Sequence, residues 1–354
     1  MALGLRRKVC RASFGSALNR KLSHWARKRN LTPIRKNGGE VASSHLAFVF
    51  PGQGSQHVGM GKEFTAEFRV AQEIFAEADD ALEYSLSALC FNGPEAELKL
   101  TENTQPGILT ASIAALRVLE TETPLRPSFV AGHSLGEYSA LVAVGALQFR
   151  DAVKIVRERG RLMQQAVPSG QGAMAVVLGL EMEAVRALCA DASRDEVVSP
   201  ANFNGAGQVV ISGAKGAVQR AMELAKERGA KRVQDLPVSA PFHCRLMQPA
   251  ADGLKQILSD VTVRPFVTGV VTNVEAEVNL SAERVKSLLV DQAVCPVRWE
   301  ETIRKFAELG CDRALEIGPG KVLKGLMKRI VPTMEIDNFA VPQDLSRLAS
   351  AWTQ

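Results

Sequence analysis

Long apolar runs are missing from the 354-residue chain. None reaches the roughly 18 consecutive apolar residues that cross a bilayer, so a soluble protein with no membrane partner is expected. Cysteine is sparse and scattered, at positions 10, 90, 189, 244, 295 and 311, with no Cys-x-x-Cys pair. That spacing speaks against a zinc site and against a disulfide framework, and isolated thiols fit a reducing compartment. Only five histidines occur, so each can be weighed singly. Internal repeats are absent, and the one glycine-rich loop after a strand, Gly52–Gln56, has neither G-x-G-x-x-G nor Gly-Lys-Ser/Thr. A nucleotide cradle is therefore poorly supported.

Acidic residues are nearly absent from the first 43 positions. That stretch holds eleven of the 43 Lys/Arg and, as its single acid, Glu40, for a charge of +10; the remaining 32 basic and 37 acidic residues give −5. The overall +5 thus belongs to the N-terminus, and the body gives no reason to expect a nucleic-acid partner. Arg6, Arg7, Arg11, Arg20, Arg27 and Arg29 lie among Ser13, Ser16, Ser23 and apolar residues, the composition of an organelle transit peptide. Residues 1–43 are expected to be that segment. Heavy arginine with moderate Ser/Thr favours the mitochondrion, with the plastid as the alternative.

What the chain does contain is alternation. Leu46–Phe50 reads as a buried first strand stopped by Pro51-Gly52, followed by helical patterning over 62–90 and over 105–122, the latter opened by Gln105-Pro106. Phe129–Gly132 is a second strand that runs into His133-Ser134-Leu135-Gly136 and a helix, and 151–166 reads as another helix. This argues for an α/β fold with a parallel sheet, of the α/β-hydrolase-like kind, over 44–167 and 240–335. Residues 168–239 change character. Strand, helix, two strands, helix and strand follow one another, the pattern of an inserted ferredoxin-like subdomain. Residues 336–354 are expected to be a C-terminal tail.

Gly132-His133-Ser134-Leu135-Gly136 sits where a strand turns into a helix. Both glycines suit a sharp turn that lifts a serine hydroxyl out of the sheet and aims a helix N-terminus at it. Ser134 is the expected nucleophile, and the Leu135 N–H an oxyanion donor. The loop at Gln53 could bring a second N–H. Serine needs a base; His57, His133 and His243 are the candidates, with His133 expected to point away from the turn. A transferase, a thioesterase and an inactive scaffold all remain open at this point.

Further ordered motifs narrow the field. Phe48-Val49-Phe50-Pro51-Gly52-Gln53-Gly54-Ser55-Gln56, Gly132–Tyr138, Arg159-Gly160, Met163-Gln164, Gly172-Ala173-Met174, Asn202-Phe203-Asn204, Gly207–Gly213, Pro241-Phe242-His243, Gln292 and Glu316–Gly320 together resemble the malonyl-CoA:acyl carrier protein transacylase family over residues 46–330. The resemblance implies a Ser134–His243 pair without a carboxylate, the imidazole being oriented by a backbone carbonyl near Gln292. It also implies an oxyanion hole from Gln53 and Leu135, and Arg159 on the carboxylate of the acyl group. Gln292, Asn204 and Phe242 would line the substrate site, Phe242 as in malonyl-selective relatives.

The implied reaction is ping-pong transfer of malonyl from malonyl-CoA to the phosphopantetheine thiol of acyl carrier protein, for fatty acid synthesis. It implies no bound cofactor and no metal, a transient carrier-protein partner and a monomer. Cys244 departs from the small hydroxyl residue usual after the histidine. Because carrier proteins are acidic, Lys321, Lys324, Lys328 and Arg329 on one helix form the expected docking patch.

Overall fold

The computed structural model describes residues 45–238 and 240–352. The expected transit segment lies outside the described residues. Ten strands occur among the described residues: β1 (His45–Phe50), β2 (Phe129–Gly132), β3 (Gly172–Leu178), β4 (Val198–Gly205), β5 (Gln208–Ala214), β6 (Arg232–Asp235), β7 (Gly269–Val271), β8 (Val278–Asn279), β9 (Cys311–Ile317) and β10 (Glu335–Phe339). They form a six-stranded sheet in the order β10-β9-β1-β2-β7-β8 and a four-stranded sheet in the order β4-β5-β3-β6. All six-stranded pairings are parallel except β7 with β8.

The parallel register fixes the site. Phe50 lies opposite Gly132, and Val49 opposite Glu316. The loops that follow β1, β2 and β9 therefore leave the sheet side by side at its carboxyl edge, where open α/β sheets present their chemistry. β1 and β2 are buried nearly throughout, which explains their unbroken apolar sequence.

The helix Thr101–Glu122 is apolar on almost every face and runs through the core, burying Ile108, Leu109, Ile113, Leu116 and Leu119. It opens a turn earlier than its Gln105-Pro106 signal suggests, so Pro106 stands inside it. The helix Phe149–Gln165 packs beside it and turns Val153, Val156, Arg159, Gly160 and Met163 inward. At Gly160 a Cβ would lie 2.6 Å from the Thr101 carbonyl oxygen. That approach brings Arg159 to within hydrogen-bonding range of Gln105, one turn along.

Within 168–239 the four strands pair antiparallel throughout. Helices Met182–Ser193 and Lys215–Glu227 close an apolar core around Val177, Val185, Leu188, Ile211 and Val218. This insert is tied back to the body where Asn202 of β4 bridges to Val297. The described residues form one compact unit.

Two expectations need correction. The helical stretch 62–90 is three helices, Lys62–Glu67, Arg69–Leu82 and Leu86–Asn92. Phe68 adopts an extended conformation, and Ser85 caps the last helix by accepting from the Ala88 N–H at 3.3 Å. The expected tail 336–354 is structured over its described part, for β10 adds a strand to the sheet edge and helix Asp344–Trp352 buries Leu348 in the core. The helix Gln248–Ser259 has no counterpart among the expected elements, and it buries Ala250, Ala251, Leu254 and Leu258.

Candidate active site

Ser134 has φ 51°, a left-handed conformation that a non-glycine residue adopts only at a cost. Its neighbours leave no alternative. A Cβ on Gly132 would lie 1.9 Å from the Gly136 carbonyl, and one on Gly136 would lie 2.1 Å from the Phe50 carbonyl oxygen. The turn can be this tight only with glycine at both positions, and it seats the elbow against the end of β1. The helix Gly136–Ala143 begins directly after Leu135.

His243 reaches this serine from a distant part of the chain. It follows the insert and also sits at a left-handed φ of 59°. Its Nδ1 lies 2.8 Å from the backbone carbonyl oxygen of Gln292. A carbonyl can only accept, so Nδ1 carries the proton and Nε2 is free to accept. Nε2 lies 2.7 Å from Ser134 Oγ. Burial first, and the Arg159 charge second, push the His243 pKa down to about 3, so the imidazole is neutral and able to take a proton near neutral pH. The neighbouring His133 is turned elsewhere. Its Nε2 donates to Asn204 Oδ1 at 2.9 Å, and its ring meets Trp299 edge-on at 5.4 Å.

Arg159 is 2% exposed, although it comes from a helix rich in charge. Its guanidinium donates to Gln105 Oε1 at 2.7 Å, Gln292 Oε1 at 3.0 Å and Ser134 Oγ at 3.2 Å. The Tyr138 ring lies 5.5 Å away. Its Nε–H is buried without a partner among the described residues. Burial is the largest influence on this cation and lowers its pKa. A buried cation held only by neutral acceptors and lacking one more is suited to an incoming carboxylate.

Gln292 is fully buried and joins these groups. Besides holding His243 and Arg159, its Nε2 donates to the Ser134 carbonyl at 2.9 Å and to Glu137 Oε2 at 2.7 Å. Asn273 secures the other side of the elbow. Its Oδ1 accepts from the Ser134 N–H at 2.7 Å and its Nδ2 donates to the Gly132 carbonyl at 2.7 Å. The Gln53 side chain donates to Thr101 Oγ1 at 3.4 Å. Among the described residues, no backbone group accepts from the N–H groups of Gln53 or Leu135.

Comparisons with known proteins place the chain in a family. The acyl transferase domain model matches residues 47–341. The chain is 48% identical over 303 residues to the malonyl CoA-acyl carrier protein transacylase of Escherichia coli K12, covering 86% of this chain and 98% of that protein. The chain belongs to the acyl transferase domain family and, within it, to the malonyl CoA-acyl carrier protein transacylases. A crystal structure of an acyl carrier protein S-malonyltransferase from Vibrio cholerae superposes with a TM-score of 0.85 at 48% identity, over 86% of this chain and 100% of that one. Another solved structure, with TM-score 0.84 and 48% identity over 86% of this chain and 98% of its own, is a malonyl-transacylase in complex with a type II polyketide acyl carrier protein.

Within this acyl transferase site the structure brings together Ser134, His243, Arg159 and Gln292. Asn204 and Phe242 are both buried; Asn204 accepts from His133, and Phe242 packs with Met163, Met174 and Met247. Lys324 leaves the expected docking patch. Its Nζ is held by Asp337 Oδ1 at 2.7 Å and Asn338 Oδ1 at 3.0 Å, whereas Lys321, Lys328 and Arg329 are exposed. Sequence reasoning missed Asn273, Gln105 and the part played by Glu137. Only Glu137 had a local signal, three residues after the serine in the first turn of the elbow helix.

Proposed function

We propose that this chain carries a malonyl group from malonyl-CoA to the phosphopantetheine thiol of acyl carrier protein, through an ester on Ser134, for fatty acid synthesis. The observation that carries the reading is the Arg159 guanidinium, buried 3.2 Å from the hydroxyl of a Ser–His pair. A nucleophile beside an unpaired buried cation selects acyl groups that bring their own carboxylate. An acyl group without one leaves the cation unpaired, and that penalty discriminates strongly.

The chemistry then follows from the donors and acceptors. Ser134 Oγ attacks the thioester carbonyl as its proton passes to His243 Nε2. The N–H groups of Gln53 and Leu135 receive the developing oxyanion. The imidazolium keeps its Nδ1–H on the Gln292 carbonyl and gives its Nε2 proton to the departing CoA sulfur. The carrier-protein thiol next gives its proton to His243 and attacks the Ser134 ester, and the hydroxyl re-forms with the same proton. The malonyl carboxylate, paired with Arg159, offsets the charge that depresses His243, so substrate binding raises the basicity of the base. Neither half-reaction draws on a metal or a redox cofactor.

Incubation with malonyl-CoA followed by intact-mass measurement tests the reading. The wild type should gain one malonyl group, Ser134→Ala none, and added acyl carrier protein should discharge the adduct. A wild type that gains no mass rejects it.

The carrier protein is the transient partner. Exposed Lys321, Lys328 and Arg329 support a docking surface for an acidic partner, and Lys328→Glu/Arg329→Glu should raise the KM for carrier protein alone. We read the parallel sheet as α/β-hydrolase-like and the insert as ferredoxin-like, because its order β4-β5-β3-β6 suits a βαββαβ unit. Action as a monomer and mitochondrial import by residues 1–43 belong to the same proposal. A fluorescent protein fused after residue 43 should reach mitochondria; plastid delivery would favour the alternative.

A further inference from the structure

Glu137 is 2% exposed and is not needed to move a proton in the reaction above. It lies in the first turn of the helix that leaves the elbow. Its Oε2 accepts from Gln292 Nε2 at 2.7 Å and from the Asn273 N–H at 3.2 Å. These two partners are the residues that grip Ser134 from either side.

The Gln292 amide has a defined direction. Its Oε1 faces Arg159 and its Nε2 faces Glu137. Turned over, it would set an NH2 against a guanidinium, donor to donor, and a carbonyl against a carboxylate, acceptor to acceptor. The carboxylate, together with the Ser134 carbonyl that accepts from the same Nε2, therefore fixes which end of the amide meets Arg159. Because the backbone carbonyl of this same Gln292 seats His243, one anchor serves both the acyl-carboxylate subsite and the base. The charged and titratable groups facing Glu137 are Arg159 from the helix Phe149–Gln165, Glu275 from the turn between β7 and β8, and Tyr138 beside it.

We propose that Glu137 is a positioning residue that, through the Gln292 amide, holds the Arg159 guanidinium and the carbonyl seat of His243 in register with Ser134. The inference rests on the malonyl-transfer reading and adds a residue to it. Single-turnover malonylation of the full-length chain, followed by intact mass and expressed per acylatable site, separates the two. If the wild type takes no malonyl group, the reading itself fails. If the wild type is malonylated, Glu137→Gln should lower the saturating rate about tenfold at pH 8, where the carboxyl is ionised and its bonds to Gln292 and Asn273 are charge-assisted. It should also raise the half-saturating malonyl-CoA concentration, because both Arg159 and His243 are loosened.

A merely structural role would reduce the folded fraction and leave the rate per site unchanged, and that result overturns the inference. Should Glu137→Gln not fold, Glu137→Asp carries the test. It keeps the charge but withdraws it by one methylene, and a wild-type rate per site in that variant equally overturns the inference. In a Gln292→Met background, Glu137→Gln should add no further loss; full additivity would show that Glu137 does not act through Gln292.

Discussion

The parallel body and the antiparallel insert bury different things. The insert closes around Val177, Leu188, Ile211 and Val218, an apolar core that needs nothing but packing. The body buries Glu137, Arg159, His243, Asn273, Gln292 and Glu316 at the carboxyl edge of its sheet. Parallel strands end together there and helix N-termini follow them, so N–H donors and turned side chains converge. The insert contributes to this network through Asn204, which accepts from His133 beside the nucleophile. It also sits in the chain between Arg159 and His243, so its folding delivers the base. Chemistry and wall are thus separated by region.

The largest test of that division falls on the body. His243→Ala should slow Ser134 malonylation roughly a thousandfold, within the usual range for loss of a general base, measured by rapid quench and intact mass. Arg159→Lys should follow with a loss of about a hundredfold in kcat/KM for malonyl-CoA, because an ammonium cannot reproduce two parallel bonds to a carboxylate. A near-normal value would mean that charge alone suffices.

The insert should respond less. Asn204→Ala removes one acceptor from His133 and should lower kcat/KM by about tenfold or less. A loss as large as that of His243→Ala would break the division, since the insert would then take a direct part in the chemistry.

The smallest effect is on stability. Burial pushes the Glu137 pKa up to about 7 from an ordinary 4.5. The folded state therefore holds this proton more tightly than the unfolded state. The resulting stability is fully present below pH 4.5 and is lost as pH rises through 7. Glu137→Gln does not titrate, so its Tm should gain on that of the wild type by roughly 2–4 °C between pH 5 and pH 8, the shift about 2 kcal/mol makes in a domain of this size. A constant difference would show that Glu137 is not protonated in the folded chain at pH 5.

Much of the site could be read locally. Two glycines around Ser134 demand a tight turn wherever they occur after a strand, and the structure gives the collisions that enforce it. Arg159 was legible in part. It lies three residues after Val156 and four before Met163, on the inward stripe of its helix, although its charged neighbours suggest a solvated face. Asn273 and Gln105 were not legible, because nothing local distinguishes a polar residue that will meet the elbow from one that will meet water. Lys324 shows the converse, for a lysine on a basic helix is paired with Asp337 on the strand that follows. The strand β10 was also hidden, since an edge strand of five residues with two acids carries little apolar pattern.

By itself the sequence determined the alternation of strand and helix, the strained serine turn and the apolar core of the insert. Each depends on neighbours a few residues apart, through sterics or period. Tertiary structure alone decided that His243, 109 residues from Ser134, stands 2.7 Å from it, and that Gln292 joins base, cation and nucleophile. Those contacts follow from strand order and from how the insert returns the chain to the body. Ser134 is a potential nucleophile by its turn, and a malonyl carrier by the cation and base that folding brings to it.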